Sequence, residues 1–195
     1  GDGCHRLLPA ALCSERDELH QTVFAVSTPF GDDLCGIGFV RAIPAPPTRA
    51  MKIYTDGGCD RNGHPDAIGA WAFVASDGHE DFGAGESGTT NNRMELLAVI
   101  KALLYAKAQH APRVTIYSDS QMTMLCAIGR WKRRANLDLW DQFRQAVGGM
   151  QAKFVWVRGH SGVAGNERAD ELCSMVMADM APAPEIAHLR SILAE

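Results

Sequence analysis

The chain has 195 residues, of which 46% are hydrophobic and 22% are charged, and its formal net charge is −4. This is the composition of an ordinary globular protein, long enough for one domain with a full core and a small appendage. No stretch approaches the roughly 18 consecutive apolar residues of a membrane span, and no basic-then-apolar start indicates a secretory signal. With an acidic net charge, any nucleic acid must be held by a local basic patch or through bound cations.

A change of character near residue 50 divides the chain. Residues 1–50 have weak periodicity and end in the linker-like run Ala45-Pro46-Pro47-Thr48-Arg49-Ala50. Met51 is the first methionine and opens a strand. We expect an N-terminal extension of unknown role over 1–50, a folded domain over 51–181 and a C-terminal tail over 182–195. We favour the interpretation that the extension is translated upstream sequence, non-native or disordered. The alternative is a small N-terminal module.

Nine elements are predicted from Met51 onward by hydrophobic periodicity and turn signals. Strands are expected at Met51–Thr55, Gly69–Ser76, Glu80–Glu86, Arg113–Ser118 and Lys153–Val157. Helices are expected at Asn91–Gln109, Gln121–Gly129, Leu137–Val147 and Glu167–Met180, with Thr90 or Asn91 capping the first and Asn136 the third. This order predicts an α/β fold with a five-stranded mixed sheet flanked by helices.

The six cysteines form no CxxC pair and no zinc-finger spacing with histidine. We therefore expect free thiols in a reducing cytoplasm. Cys126 and Cys173 stand among apolar residues and are expected to pack in the core.

Four acidic residues stand where the predicted elements meet. Asp56 follows the first predicted strand and Asp119 the fourth, each directly after a hydroxyl residue. Acids at the carboxyl ends of adjacent parallel strands can converge where a ligand binds. Glu95 and Asp170 are placed in the first turns of the first and last helices, from which each could project toward the same strand ends.

A group of four carboxylates repels itself unless cations neutralise it. Hard oxygen ligands suit Mg²⁺, and two such ions about 4 Å apart can activate a water and stabilise the leaving oxygen in phosphodiester hydrolysis. The alternative is that each acid is incidental, because Asp before Gly is common in turns and acids in a helix's first turn favour its dipole. Spacing alone leaves both interpretations open.

Five segments of the chain resemble the signature segments of type-I ribonuclease H, in that family's order. They are IYTDGGC from Ile53, TTNNRMEL from Thr89, SDSQ from Ser118, WVRGHSG from Trp156 and GNERADEL from Gly165. The resemblance covers about residues 51–180 and is to bacterial-like members that lack a basic protrusion. It implies the ribonuclease H-like fold over 51–181. It also implies an endonuclease that hydrolyses the RNA strand of RNA–DNA hybrids and leaves 5′-phosphate and 3′-hydroxyl ends.

The resemblance also implies roles for individual residues. The metal-binding carboxylates, for two Mg²⁺ ions or Mn²⁺ in their place, would be Asp56, Glu95, Asp119 and Asp170. His160 resembles the family's mobile histidine, which assists proton transfer or product release, and its glycine-flanked loop suits a side chain that moves. Without the resemblance, His160 would be taken for a surface residue. Asn166 resembles the residue that supports this region on the substrate side.

Contacts to the hybrid are implied in the same way. Three amides match positions that contact the RNA strand, whose 2′-hydroxyls distinguish it from DNA: Asn62, Asn91 and Gln121. Thr90 and Asn136 match a pocket for a DNA-strand phosphate, with helix capping as the alternative or additional role. Trp131 matches an aromatic residue that packs along the DNA strand, with a core position as the alternative.

Two departures from the family concern the grip on the hybrid. Longer members carry a helix and a basic loop between the positions of Trp131 and Asn136, where this chain has only Lys132-Arg133-Arg134-Ala135. We expect this run, with Arg130, to contact phosphate, and hybrid binding to be weaker or more salt-sensitive than in members with the basic loop. Gly88 stands where some members have an Arg of the phosphate pocket.

Two other functions are compatible with such a fold. A non-catalytic hybrid-binding module would have lost at least one acid, and all four are present. A nuclease domain from retroelement or transposase machinery stays open because of the short Trp131–Asn136 connection. The short chain favours a stand-alone enzyme, and we expect a monomer in the cytoplasm that binds RNA–DNA hybrids and no membrane.

Overall fold

The computed structural model describes residues 22–25, as backbone alone, and residues 50–181. The expected tail over 182–195 and most of the N-terminal extension lie outside the described residues. The strands are β1 (Thr22–Ala25), β2 (Met51–Cys59), β3 (Gly69–Ala75), β4 (Glu80–Ala84), β5 (Arg113–Ser118) and β6 (Gln151–Trp156). The helices are α1 (Asn91–Ala108), α2 (Gln121–Ala127), α3 (Leu137–Val147) and α4 (Ala164–Met180). Within these ranges, no helix has the length and apolar character needed to span a bilayer.

The strands form one mixed sheet in the order β1-β6-β5-β2-β3-β4. The central strands β2, β5 and β6 are parallel, while β3 and β4 continue the sheet antiparallel from β2. The five strands β2–β6 and the four helices confirm the predicted fold. Sequence patterns did not predict β1, which pairs antiparallel with the edge of β6 from Thr22 opposite Trp156 to Ala25 opposite Lys153.

Helices cover both faces of the sheet. Alternate residues of each strand point to opposite faces and so pack against different helices. On β3, Trp71 and Phe73 belong to the large core that includes residues of α1, α2 and α3. Ala70 and Ala72 belong to a smaller cluster with Leu172 and Cys173 of α4. Cys126 and Cys173 are both buried, as predicted from their apolar neighbours.

Four local expectations were wrong. β2 does not end in a turn at Asp56 but runs on through Gly57 and Gly58 to Cys59. α4 begins at Ala164, so Asp170 lies in its second turn, and α1 has no acid in its first turn, since Glu95 is its fifth residue. Asn136 precedes α3 in a left-handed conformation with φ of 54° and its side chain caps nothing, whereas Thr90 does cap α1 by accepting from the Arg93 amide.

Candidate active site

Asp56 and Asp119 lie just beyond the paired segment of the adjacent parallel strands β2 and β5, at the same end. The pairing of β2 with β5 ends at Tyr54 opposite Tyr117, and each acid follows two residues later. The two tyrosine rings stack with centroids 4.7 Å apart, and the Thr55 hydroxyl donates to the Tyr117 carbonyl at 3.3 Å. These contacts fix the strand ends from which both carboxylates project.

Glu95 reaches the same place because α1 lies directly on β2. A Cβ built on Gly57 would stand 2.1 Å from the Glu95 amide nitrogen and 2.3 Å from the Met94 carbonyl carbon. Only a residue without a side chain permits this approach. Asp56 therefore supplies one carboxylate, and Gly57 leaves the space in which Glu95 can approach it.

The three acids form a compact cluster. One carboxylate oxygen from each of Asp56, Glu95 and Asp119 lies within 4.8 Å of the other two. Asp56 and Glu95 are only 7% and 6% exposed, and the Oε2 atom of Glu95 is buried without a hydrogen-bond partner. A buried, unpaired carboxylate oxygen is unfavourable unless a cation or donor meets it. The cluster thus fits a divalent cation with oxygen ligands.

Mutual repulsion is visible in the acid–base properties of the cluster. Burial, followed by the charges of Asp119 and Asp170, raises the pKa of Asp56 to about 6. Burial also raises the pKa of Glu95 well above its usual range, and the charges of Asp56 and Asp119 act in the same direction. The thiol of Cys173 donates to the Asp56 carbonyl at 3.4 Å, and burial raises its pKa, so it stays protonated beside the cluster.

Asp170 and His160 stand at the rim of the cluster. Asp170 is not among the three mutually close carboxylates, although its charge raises the pKa of Asp56. Its side chain is 45% exposed, and its Oδ2 atom lies 3.9 Å from Nδ1 of His160. The His160 side chain is 83% exposed on a backbone with φ of 51°. The structure thus brings together three of the predicted acids tightly and the fourth, with His160, more loosely.

Asn166 connects the first turn of α4 to Asp119. Its side chain is 2% exposed, and its Nδ2 donates to Oδ2 of Asp119 at 3.3 Å, while its Oδ1 is buried without a partner. The indole of Trp156 donates to the Asp119 carbonyl at 2.9 Å. A Cβ on Gly159 would stand 2.6 Å from Oδ2 of Asp119, so the loop that carries His160 also depends on a glycine. Two hydrogen bonds therefore hold Asp119, and the close approach of Gly159 leaves room for its carboxylate.

The amides predicted to contact RNA are exposed. Oδ1 of Asn62, in the loop after β2, accepts from the backbone amide of Asn91 at 2.7 Å, which places these two side by side at the start of α1. Gln121 is the exposed first residue of α2. Asn91 and Gln121 begin helices that adjoin the acidic cluster, since Glu95 follows in α1 and Asp119 precedes α2 by two residues, and Asn62 is bonded to Asn91.

Arg93 joins the two residues predicted to hold a DNA-strand phosphate, and sequence reasoning missed it. It lies three residues after Thr90, and its Nη1 donates to Oδ1 of Asn136 at 3.4 Å. Its guanidinium also pairs with both carboxylate oxygens of Asp138, at 3.1 and 2.8 Å. The available signal was its place within TTNNRMEL, one helical turn after Thr90 on the same face.

The connection between α2 and α3 has both exposed residues and one that turns inward. Trp131 is 49% exposed, which excludes the alternative of a core position. Lys132 and Arg134 are exposed as well. Arg133 turns inward, and its guanidinium donates to the Cys126 and Ala127 carbonyls at 3.1 and 3.3 Å. Two donors of Arg133 therefore serve the end of α2, and contact of the basic run with phosphate stays a prediction.

A family model for RNase H matches residues 48–178. The chain belongs to the ribonuclease H family. The curated ribonuclease H of Methylobacillus flagellatus is 42% identical over 141 residues, which cover 65% of this chain and 91% of that protein. The ribonuclease H of Bordetella pertussis is 40% identical over 143 residues, which cover 65% of this chain and 88% of that protein.

A solved structure supports the same family. It is the crystal structure of LC9-RNase H1, described as a type 1 RNase H with the type 2 active-site motif, and it superposes with a TM-score of 0.54 at 30% sequence identity. The match covers 69% of this chain and 75% of that chain. This ribonuclease H is therefore an enzyme of a metal-dependent family that cleaves the RNA strand of RNA–DNA hybrids.

Proposed function

We propose that this ribonuclease H cuts internally in the RNA strand of a hybrid, with two divalent cations held by Asp56, Glu95, Asp119 and Asp170, and leaves 5′-phosphate and 3′-hydroxyl ends. The observation that carries the proposal is the group of three carboxylates within 4.8 Å, one of which has a buried oxygen without a partner. Two cations at such a site supply an activated water and neutralise the charge of the leaving oxygen.

The donor atoms favour Mg²⁺, with Mn²⁺ as a substitute. Every ligand in the cluster is a carboxylate oxygen, the type of donor that both ions accept. The Cys173 thiol beside the cluster donates to the Asp56 carbonyl, and burial raises its pKa. Among the described residues, no histidine joins the cluster.

The roles proposed for the site residues follow from how deeply each side chain is buried. Asp56 and Glu95 form the fixed floor, and Asn166 orients Asp119 through its Oδ2 atom. Asp170 and His160 form the exposed rim, where a side chain can accept or donate a proton and move as product leaves. His160 Nδ1 lies 3.9 Å from Asp170 Oδ2, so the two rim side chains face each other.

Substrate selection is assigned to the exposed residues around this floor. Asn62, Asn91 and Gln121 offer amides to the 2′-hydroxyls of the RNA strand. On the DNA strand, Thr90 and Asn136 would hold a phosphate together with Arg93, and the half-exposed Trp131 would pack along the strand. The monomeric state and the cytoplasmic location stay predictions, and sedimentation of the purified protein tests the first.

Cleavage of an end-labelled RNA–DNA hybrid tests the function. We expect cutting of the RNA strand in Mg²⁺ and Mn²⁺, none after chelation, and none of duplex DNA or duplex RNA. Asp56→Asn should abolish cutting, while the matched control Asp141→Asn, whose side chain is 59% exposed on α3, should retain it. A kinase should label the new 5′ ends only after phosphatase treatment. An inert wild type, or full activity of Asp56→Asn, overturns the proposal.

A further inference from the structure

The connection from Ile128 to Asn136 joins α2 to α3 in nine residues, and the side chain of Arg133 turns inward within it. Arg133 Nε donates to the Cys126 carbonyl at 3.1 Å, and Nη2 donates to the Ala127 carbonyl at 3.3 Å. Cys126 and Ala127 are the last two residues of α2, and the Cys126 carbonyl also accepts from the Gly129 amide at 3.2 Å. The fork of the guanidinium thus closes the end of α2.

The same guanidinium also rests on α3. Its Cζ lies 4.5 Å from the ring centroid of Trp140 and 5.5 Å from that of Phe143. Both rings are buried, and a flat cation over an aromatic face is favourable. Burial lowers the pKa of Arg133, the direction expected for a cation withdrawn from water. One side chain therefore ties the end of α2 to the face of α3.

The neighbours of Arg133 are directed outward by this tie. Trp131 is 49% exposed, and Lys132 and Arg134 are exposed on either side of the inward residue. Beneath them lies a cavity of about 250 Å³, whose lining includes Trp131, Lys132, Arg134 and Leu96. Arg133 lines the same cavity, so its contacts with α2 and α3 help to hold the outward residues in position.

We propose that Arg133 is a positioning residue: it makes no contact with phosphate and holds Trp131, Lys132 and Arg134 in place to grip the hybrid. The proposal rests on the proposed function for the substrate, although the anchoring itself does not. A connection fixed in advance loses less conformational freedom on binding than a loose one. Removing the anchor should therefore weaken binding more than the loss of one charge does.

Kinetics of Arg133 variants as a function of salt separate positioning from direct contact. We expect Arg133→Gln to raise KM for the hybrid about fivefold or more while kcat stays within about twofold, because ordering the connection on binding is unfavourable. Losing one phosphate contact lowers the salt slope of binding by about one. Misplacing Lys132 and Arg134 together should lower it by about two.

Arg133→Lys decides between the two roles. An ammonium replaces a guanidinium well at a phosphate, but it has no planar fork for two carbonyls and a ring face. We expect KM and the salt slope of Arg133→Lys to resemble those of Arg133→Gln. The matched control is Arg144→Gln, which removes an exposed arginine of α3, and it should stay within about twofold of wild type. Restoration of wild-type KM and slope by Arg133→Lys overturns the proposal in favour of direct contact.

Two further measurements keep the proposal testable if hybrid cleavage fails or Arg133→Gln does not fold. The amides of Arg130 and Trp131 donate to the Leu125 carbonyl at 3.0 and 3.2 Å, and their hydrogen exchange should accelerate in Arg133→Lys while β5 stays protected. Unchanged exchange refutes the anchor whatever the substrate is. Lys132→Ala and Arg134→Ala should each lower the salt slope by about one, and an unchanged slope in both refutes the grip.

Discussion

Gly57→Ala tests whether the acidic cluster depends on the close approach of α1 to β2. The new methyl group would lie 2.1 Å from the Glu95 amide nitrogen, and ordinary contact begins at 3.4 Å, so α1 must move away by about 1.3 Å. The obstacle is backbone, which does not rotate aside as a side chain does. Overpacking of this kind destabilises by about 1–3 kcal/mol. A misplacement of about 1 Å in catalytic geometry lowers activity about 100-fold.

The matched control is Gly58→Ala, one residue further along β2. Its methyl group would meet Cε of Met177 at 2.7 Å, the far end of a flexible side chain that can turn away. Cleavage of a hybrid at saturating Mg²⁺ and urea unfolding without metal measure both variants. We expect Gly57→Ala to lose activity about 100-fold, and Gly58→Ala to lose little. Equal activity in the two variants, or a fully active Gly57→Ala, refutes the reasoning.

Two further predictions concern the acids and the rim histidine. In metal-free protein the raised pKa of Asp56, about 6 against 3.8, means that stability falls as pH rises between these values, because the folded state binds the proton more tightly. Asp56→Asn should therefore increase the free energy of unfolding in chelator at pH 7, by up to about 3 kcal/mol in urea titrations, and a less stable variant contradicts this. His160→Ala should lower kcat about 100-fold or more. Because the side chain is 83% exposed, the free energy of unfolding should stay within about 0.5 kcal/mol of wild type. Equal kcat in variant and wild type contradicts the proposed role.

The sequence predicted the order of elements well because hydrophobic periodicity and turn residues report local geometry. The five strands β2–β6 and the four helices lie within a few residues of their expected bounds. It failed where a residue's role depends on a distant partner. Asp56-Gly57-Gly58 has the composition of a turn, yet these residues extend β2, because Gly57 is needed for contact with the backbone of Glu95 rather than for a bend.

Within the site, residue types predicted which acids belong to it but not how close together or how buried each one is. The four acids are equivalent in sequence, whereas the structure separates a close group of three, of which Asp56 and Glu95 are buried, from the half-exposed Asp170. The basic run between α2 and α3 likewise has no sequence feature that distinguishes Arg133 from Arg134. The distinction comes from Trp140 and Phe143, which lie seven and ten residues further along and become neighbours only when α3 packs.

The short strand β1 has a consequence for how this protein meets other molecules. A bare edge of β6 would offer its N–H and C=O groups to a strand of another chain, which is how sheets begin to aggregate. Thr22–Ala25 already occupies that edge, although it lies outside the region 48–178 that the family model matches. The opposite edge, β4, carries the exposed Asp81, whose charge opposes such pairing. The two edges of the sheet are thus protected from pairing with another chain in different ways, β6 by an added strand and β4 by charge.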